Sequence, residues 1–167
     1  MFTEHTLETA PPASRRLLET TAKHVGHVPP AVARLAESPE MLSTFLRASG
    51  TFEATTLDRI AQEVVVMTVA TRNGCRVCIE MHSDRLRALG ADPGLIEALR
   101  SGTPLDDERL EALRTFTRQL YASTGAVSDD ELAAFTGYGY TARNALEVVL
   151  GIGTYTMSTF ANRLVRA

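Results

Sequence analysis

The chain has 167 residues, 44% of them hydrophobic and 22% charged, with a net charge of −3. That length suits one compact domain with a real core rather than two, and the composition excludes wholesale disorder. A near-neutral chain without a Lys/Arg cluster lacks the basic footprint that nucleic acid requires.

In chain order, the acidic stretch from Met1 to Glu8 has no apolar centre and does not read as a secretory signal. Residues 1 to about 10 are expected to be mobile, as chain ends usually are. A helix follows Pro11-Pro12, with Leu17, Leu18 and Ala22 inward, and stops near Gly26. Two short helices, Ala31 to Ala36 and Pro39 to Ala48, each open beside a proline whose missing N–H does no harm there. The segment 1–50 is expected to pack as a helical layer on a core of 55–165, within a single domain spanning 1–167.

Thr55-Thr56 offers an N-cap for a helix from Leu57, in which Ile60, Val64, Val65, Met67 and Val69 cover most of the circumference. A helix apolar nearly all round is a buried one. Its longest apolar run, Val64 to Ala70, falls far short of the roughly 20 residues of a membrane span, so the expectation is a cytoplasmic protein with no membrane partner. Asn73-Gly74 reads as a turn. A second helix from about Cys75 to Leu89 then ends at Gly90. Further helices are expected from Asp92-Pro93 to Leu99, from Asp106 to Ala122, and after the capping box Ser128-Asp-Asp-Glu131. A last one runs from Thr141 to about Val165, interrupted or softened by Gly151 and Gly153. No segment alternates as a strand would, so the fold class is all-α with about seven to eight helices.

The chemistry concentrates between Glu63 and His82, where both cysteines of the chain, a histidine and a carboxylate in an apolar run occur together. Cys75, Cys78 and His82, spaced i, i+3 and i+7, would line one face of a continuous helix. A cysteine in a first helical turn gains stabilisation for its thiolate from the macrodipole, and Arg72 and Arg76 are near enough in sequence to add positive potential. Thiolate stabilisation alone does little. Lowering a thiol's pKa by about two units raises its thiolate fraction at pH 7 but lowers its intrinsic nucleophilicity, for a net gain of about threefold. Peroxide reduction also needs a proton for the departing alkoxide, and positioned acid–base groups contribute about a hundredfold to ten-thousandfold. His82 faces Cys78 across one turn, and Glu63, among Ile60, Val64 and Met67, needs a partner such as His82 to keep its charge. A second thiol then closes the cycle as a disulfide that a reductant reopens.

The same residues admit other readings. Cys75, Cys78, His82 and Glu63 permit a four-ligand zinc site, although structural zinc usually draws on two separated ligand pairs. Two buried thiols beside a satisfied core histidine is the purely structural alternative. His24 and His27 read as solvated, and Glu80, Asp84, Arg85 and Arg87 as the wet face of their helix.

Glu63, then Cys75-Arg-Val-Cys78, then His82, on two consecutive helices, resembles the signature of the alkylhydroperoxidase D-like branch of the carboxymuconolactone decarboxylase superfamily. The resemblance runs from about residue 24 to the end, through Gly26-His-Val-Pro-Pro, Ser38-Pro-Glu-Met-Leu and Leu146-Glu-Val-Val-Leu-Gly-Ile. It implies an all-α domain forming homo-oligomers, trimers or hexamers, with Cys78 as peroxidatic cysteine, Cys75 as proton donor and resolving thiol, and Glu63 with His82 as proton relay. It implies organic hydroperoxide substrates, a dithiol or lipoyl-type protein reductant, and neither metal nor flavin. Val77 stands where alkylhydroperoxidase D enzymes often carry a histidine, which favours the alternative of a general disulfide reductase or redox sensor. The decarboxylase branch generally lacks the cysteine pair, so a muconolactone is not the expected substrate. A non-catalytic protein binding zinc or a small ligand is the remaining alternative. The last helix, apolar on several faces at Ala145, Leu146, Val148, Val149, Leu150, Ile152, Met157 and Phe160, suits either an oligomer contact or a central core helix.

Overall fold

The computed structural model describes residues 2–167. Among them are nine α-helices and no strand: α1 (Pro12–Val25), α2 (Pro30–Leu35), α3 (Pro39–Glu53), α4 (Arg59–Arg72), α5 (Arg76–Ala88), α6 (Pro93–Ser101), α7 (Glu108–Ala122), α8 (Asp129–Gly137) and α9 (Ala142–Leu164). The all-α expectation holds. Each of the nine answers to a segment named from the sequence, so the count of about seven to eight fell one short of its own elements.

α4 is the axis of the core. Every residue from Ala61 to Ala70 is buried, and α3, α5, α6, α7 and α9 all pack against it. Its apolar residues meet Phe52, Leu86, Leu99, Leu113, Phe116 and Val148 in one continuous cluster. A second, smaller cluster of Ala10, Leu18, Leu35, Ala36, Leu42 and Val165 joins α1–α3 to the end of α9. On the far side, Phe116, Phe135 and Tyr140 stack in sequence at 4.1 and 4.6 Å and hold α8 on α7.

Three local expectations are corrected. The cap of α4 is Asp58, whose carboxylate accepts from Ala61 N–H, and not Thr55 or Thr56. Thr56 instead donates its N–H and hydroxyl to Glu147 of α9 at 3.0 and 2.8 Å. Gly151 and Gly153 leave α9 unbroken over 23 residues. Gly151 is there for close approach: a Cβ would lie 2.7 Å from the Phe52 ring and 2.9 Å from Val65, so the missing side chain is what lets α9 lie against α3 and α4. The N-terminal stretch is tied down rather than loose. Glu4 pairs with Arg34 at 2.7 Å, His5 with Glu37 at 2.8 Å, and Ala10 is buried; Met1 lies outside the described residues.

Glu147 is the polar knot of this frame. Burial pushes its carboxyl up, but hydrogen bonds from Thr56 N–H and hydroxyl, Asn144 and Arg143 outweigh that and leave it below the ordinary value of 4.5. The folded chain therefore keeps this carboxylate ionised where an unfolded chain has begun to protonate it. The stability it contributes is present above 4.5 and is lost as pH falls below that through the depressed folded value. Glu147→Gln should cost about 1–3 kcal/mol at neutral pH, and urea unfolding at about pH 7 and pH 3 should find the difference from the wild type shrinking at the acidic end.

Candidate functional site

The cysteine pair sits where α4 hands over to α5. α4 ends in a Schellman turn: Gly74 N–H donates to Thr71 C=O at 3.1 Å, Cys75 N–H donates to Ala70 C=O at 3.0 Å, and Gly74 takes φ +63°. Glycine is the residue that adopts this backbone without a Cβ penalty. Cys75 closes that turn and is at once the N-cap of α5, with extended backbone, so it does not lie on one continuous helix with Cys78 and His82 as the spacing suggested. Cys78 is in the first helical turn. The two are joined as a disulfide, with Cα atoms 5.3 Å apart. Both sulfurs are buried, wrapped by Ala70, Val77 and Ile79. When the bond is open, a thiolate here faces the positive end of α5 and its free N–H groups.

One turn further along α5, His82 Nδ1–H donates to Glu63 Oε2 at 2.7 Å, with both side chains under a tenth exposed. The two residues named from the sequence do meet. Their contact assigns the tautomer: Nδ1 carries the proton for the carboxylate, and Nε2 is left as the group available to exchange one. The Tyr155 ring stands edge-on to the imidazole at a centroid distance of 5.5 Å. Burial pushes the Tyr155 phenol above its ordinary value, so it stays neutral, within 3.2 Å of the Ser49 hydroxyl.

Sequence reasoning misplaced Arg85. Its Nε lies 3.0 Å from the other Glu63 oxygen, and its Nη1 donates to Glu53 at 2.9 Å. Burial pulls the guanidinium down, but the two carboxylates outweigh it and leave Arg85 above its ordinary value, permanently cationic. Glu80, Asp84 and Arg87 do form the exposed face. The signal for Arg85 was available: it follows His82 by three residues and shares its face. Arg72 does not reach the sulfurs but stacks on the Tyr121 ring at 4.3 Å, and Arg76 points outward. His24 and His27 are exposed.

α9 supplies a wall that sequence reasoning missed altogether. Asn73 Nδ2 donates to Thr159 Oγ1 at 2.9 Å, Tyr121 hydroxyl donates to Asn73 Oδ1 at 3.1 Å, and Arg163 Nη1 donates to Asn73 C=O at 2.6 Å. Together they clamp the turn before Cys75. Asn162 Nδ2 lies 3.4 Å from Cys78 Sγ. The only sequence signal was polar residues at 155, 159 and 162 in a helix otherwise read as apolar, a spacing that marks one face. A zinc site needs three or four donors turned to one point, and among the described residues no three His, Cys, Asp or Glu side chains converge in that way.

An all-helical protein with a buried dithiol pair beside a carboxylate–imidazole pair is a recognisable class, and comparison identifies it. The family model described as the carboxymuconolactone decarboxylase family matches residues 37–118, which include Glu63, Cys75, Cys78 and His82. Among solved structures, the chain is similar to an uncharacterized peroxidase-related protein from Ralstonia eutropha JMP134 with an alkylhydroperoxidase AhpD core, with TM-score 0.85 and 18% identity over 98% of this chain and 88% of that one. An uncharacterized peroxidase-related protein from Silicibacter sp. TM1040 gives 0.80 and 20%, over 99% of this chain and 90% of that one. A cysteine-to-alanine variant of the debrominase Bmp8, in complex with 2,3,4-tribromopyrrole, gives 0.79 and 14%, over 100% of this chain and 90% of that one. No curated protein matches the sequence. The chain thus carries a match to the carboxymuconolactone decarboxylase family model over its central 82 residues (37–118) and has the AhpD-like fold. No helix among the described residues is long and apolar enough to cross a membrane.

Removing the cation from this site tests its electrostatics. Arg85→Met leaves a buried carboxylate with one partner fewer and should destabilise the fold by about 1–3 kcal/mol, towards the low end because Arg85 is partly exposed. Adding Glu63→Gln removes the stranded charge and should restore part of the loss. Urea unfolding of the two single variants and the double variant measures that coupling.

Proposed function

We propose that the protein is a thiol-dependent peroxidase that reduces organic hydroperoxides through a Cys75–Cys78 disulfide cycle. The observation that carries this reading is a closed two-cysteine pair at a helix N-terminus one turn from a hydrogen-bonded Glu63–His82 pair. In the first step Cys78 thiolate attacks the terminal hydroperoxide oxygen. An S–O bond forms and the O–O bond breaks, Cys78 is oxidised to sulfenic acid, and the alkoxide leaves with one proton as an alcohol. That proton comes from the Cys75 thiol; His82 Nε2, held by Glu63, takes the proton that Cys78 gives up on becoming a thiolate and passes it to Cys75 to replace the one lost. In the second step Cys75 attacks the Cys78 sulfur, forming the disulfide and releasing the oxygen as water. A dithiol reductant, lipoyl-type or protein-borne, then reopens the bond by exchange.

The test uses reduced, metal-free protein and cumene hydroperoxide. Loss of two thiols with a mass decrease of about two hydrogens is the expected result, and Cys78→Ser should abolish turnover under a working reductant. Thiols that survive excess peroxide but exchange readily with a disulfide substrate would replace this reading with the second one, a general disulfide reductase or redox sensor. One feature favours that second reading: the residue beside Cys78 is the apolar, half-buried Val77, packed against the pair and unable to carry a proton.

The oligomer belongs to the same reading. On α9, Leu146, Val149, Phe160 and Leu164 are 73%, 48%, 58% and 68% exposed, and an apolar groove of about 660 Å³ runs between this face and α7. Neighbouring copies of the chain cover it in a trimer or hexamer. Light scattering should give a mass of three or six chains, and Phe160→Glu should lower it.

A further inference from the structure

We infer that Asn162 is a catalytic residue of the dithiol site, one that holds Cys78 as a thiolate and then binds the oxygen that Cys78 takes up. The inference deepens the peroxidase reading and rests on it for the second of these roles.

The two arms of one side-chain amide carry the argument. The Nδ2 arm reaches Cys78 Sγ at 3.4 Å, within hydrogen-bonding range for sulfur. The Oδ1 arm is fully buried with no hydrogen-bond partner, in a residue only 5% exposed. A buried amide carbonyl without a donor is costly, and native structures keep few of them. The side chain has little freedom to escape. Its neighbours Thr159 and Arg163 on α9 are bonded to Asn73, two residues before Cys75, so the amide and the cysteine turn are held as one unit.

The disulfide offers this amide little. A disulfide sulfur is a poor acceptor, and it has no proton for Oδ1. The reduced and oxygenated states of Cys78 complete both bonds. A thiolate accepts from Nδ2–H, a charge-assisted bond stronger than a neutral one. A hydroperoxide carries its hydrogen on the terminal oxygen, the atom that Cys78 attacks, and that O–H donates to Oδ1. When the S–O bond has formed and the O–O bond has broken, the same hydrogen belongs to the sulfenic acid and stays on Oδ1. The unpaired carbonyl is thus matched to a single oxygen atom, the smallest group the reaction places there. His82 and Glu63 supply the protons, and Asn162 holds the sulfur and the oxygen.

The test compares the wild type with Asn162→Ala and the near-isosteric Asn162→Asp, which preserves side-chain volume if the alanine variant fails to fold. The first readout is titration of the Cys78 thiolate by its ultraviolet absorbance in a Cys75→Ser background. Glu63, His82 and Arg85 are present in every form, so a difference reports position 162. The alanine variant should titrate about one to two pH units higher than the wild type, and the aspartate variant higher still because its carboxylate repels the thiolate. The second readout is the lifetime of the sulfenic acid after one equivalent of cumene hydroperoxide, trapped with dimedone. In the same Cys75→Ser background it should shorten about tenfold or more in the alanine variant and stay near the Asn162 form's value in the aspartate variant, which keeps an acceptor oxygen. Folded variants with wild-type titration and wild-type sulfenic acid lifetime would overturn the inference. If peroxide neither closes the Cys75–Cys78 disulfide in the wild type nor yields sulfenic acid in the Cys75→Ser form, the peroxidase reading and the carbonyl's role fall together. An upward titration shift in the variants would then still establish Asn162 as the thiolate's donor, and an unchanged titration would remove that role too.

Discussion

Glu63 is a carboxylate 3% exposed on a helix with apolar neighbours on every side, and much of the molecule is arranged around keeping it there. An isolated buried charge would be far too costly, so it must be met by hydrogen bonds and opposite charge. His82 takes one oxygen and Arg85 the other. Both come from α5, three residues apart on one face, and that requirement sets the rotation of α5 against α4. Once that rotation is set, the first turn of α5 and its cysteines point back at the end of α4. The same pairing orients the imidazole and leaves Nε2 as the nitrogen not bound to the carboxylate. Arg85 continues outward to Glu53 on α3, so the buried charge is linked to the surface of the bundle.

The cysteine pair depends on a second constraint, the turn at 73–75. A Schellman ending allows α4 to stop and α5 to start almost without linker, and its left-handed position is filled by Gly74. Such a turn is a hinge unless something holds it. Asn73 is gripped by Tyr121 of α7 and by Thr159 and Arg163 of α9, and α9 itself is pressed into place through Gly151 and bolted at its start by Glu147 to Thr56. A site whose named residues occupy only 63–82 is therefore built by helices from both ends of the chain. The backbone that carries the two sulfurs is thereby held from both sides.

The local code was informative where residues interact with near neighbours. Prolines and caps at Pro12, Pro39, Pro93 and Ser128 marked helix starts, and Gly26, Gly90 and Gly102 take the left-handed conformation at or just after helix ends. Side chains three and four residues apart share a helical face whatever the fold, which is why Cys78 and His82, one turn apart on α5, were legible as a pair, while Cys75, at the N-cap, was misplaced. The misread positions share a cause. Thr56 looked like a cap and serves a carboxylate 91 residues away. Gly151 looked like a weak point in a helix and is a contact surface. Arg85 looked solvated and lies half-buried over Glu63.

By itself the sequence determined an all-α chain, a central buried helix, and a dithiol with a carboxylate and an imidazole close at hand. These follow from periodicity and from backbone preferences that act within a few residues. Only the tertiary structure decided that Glu63 reaches His82, that Arg85 completes the pair, and that Asn162 touches Cys78 from a helix 84 residues further along. Those contacts depend on the angles at which helices cross and on side chains meeting across them, and no short-range pattern in the chain records either.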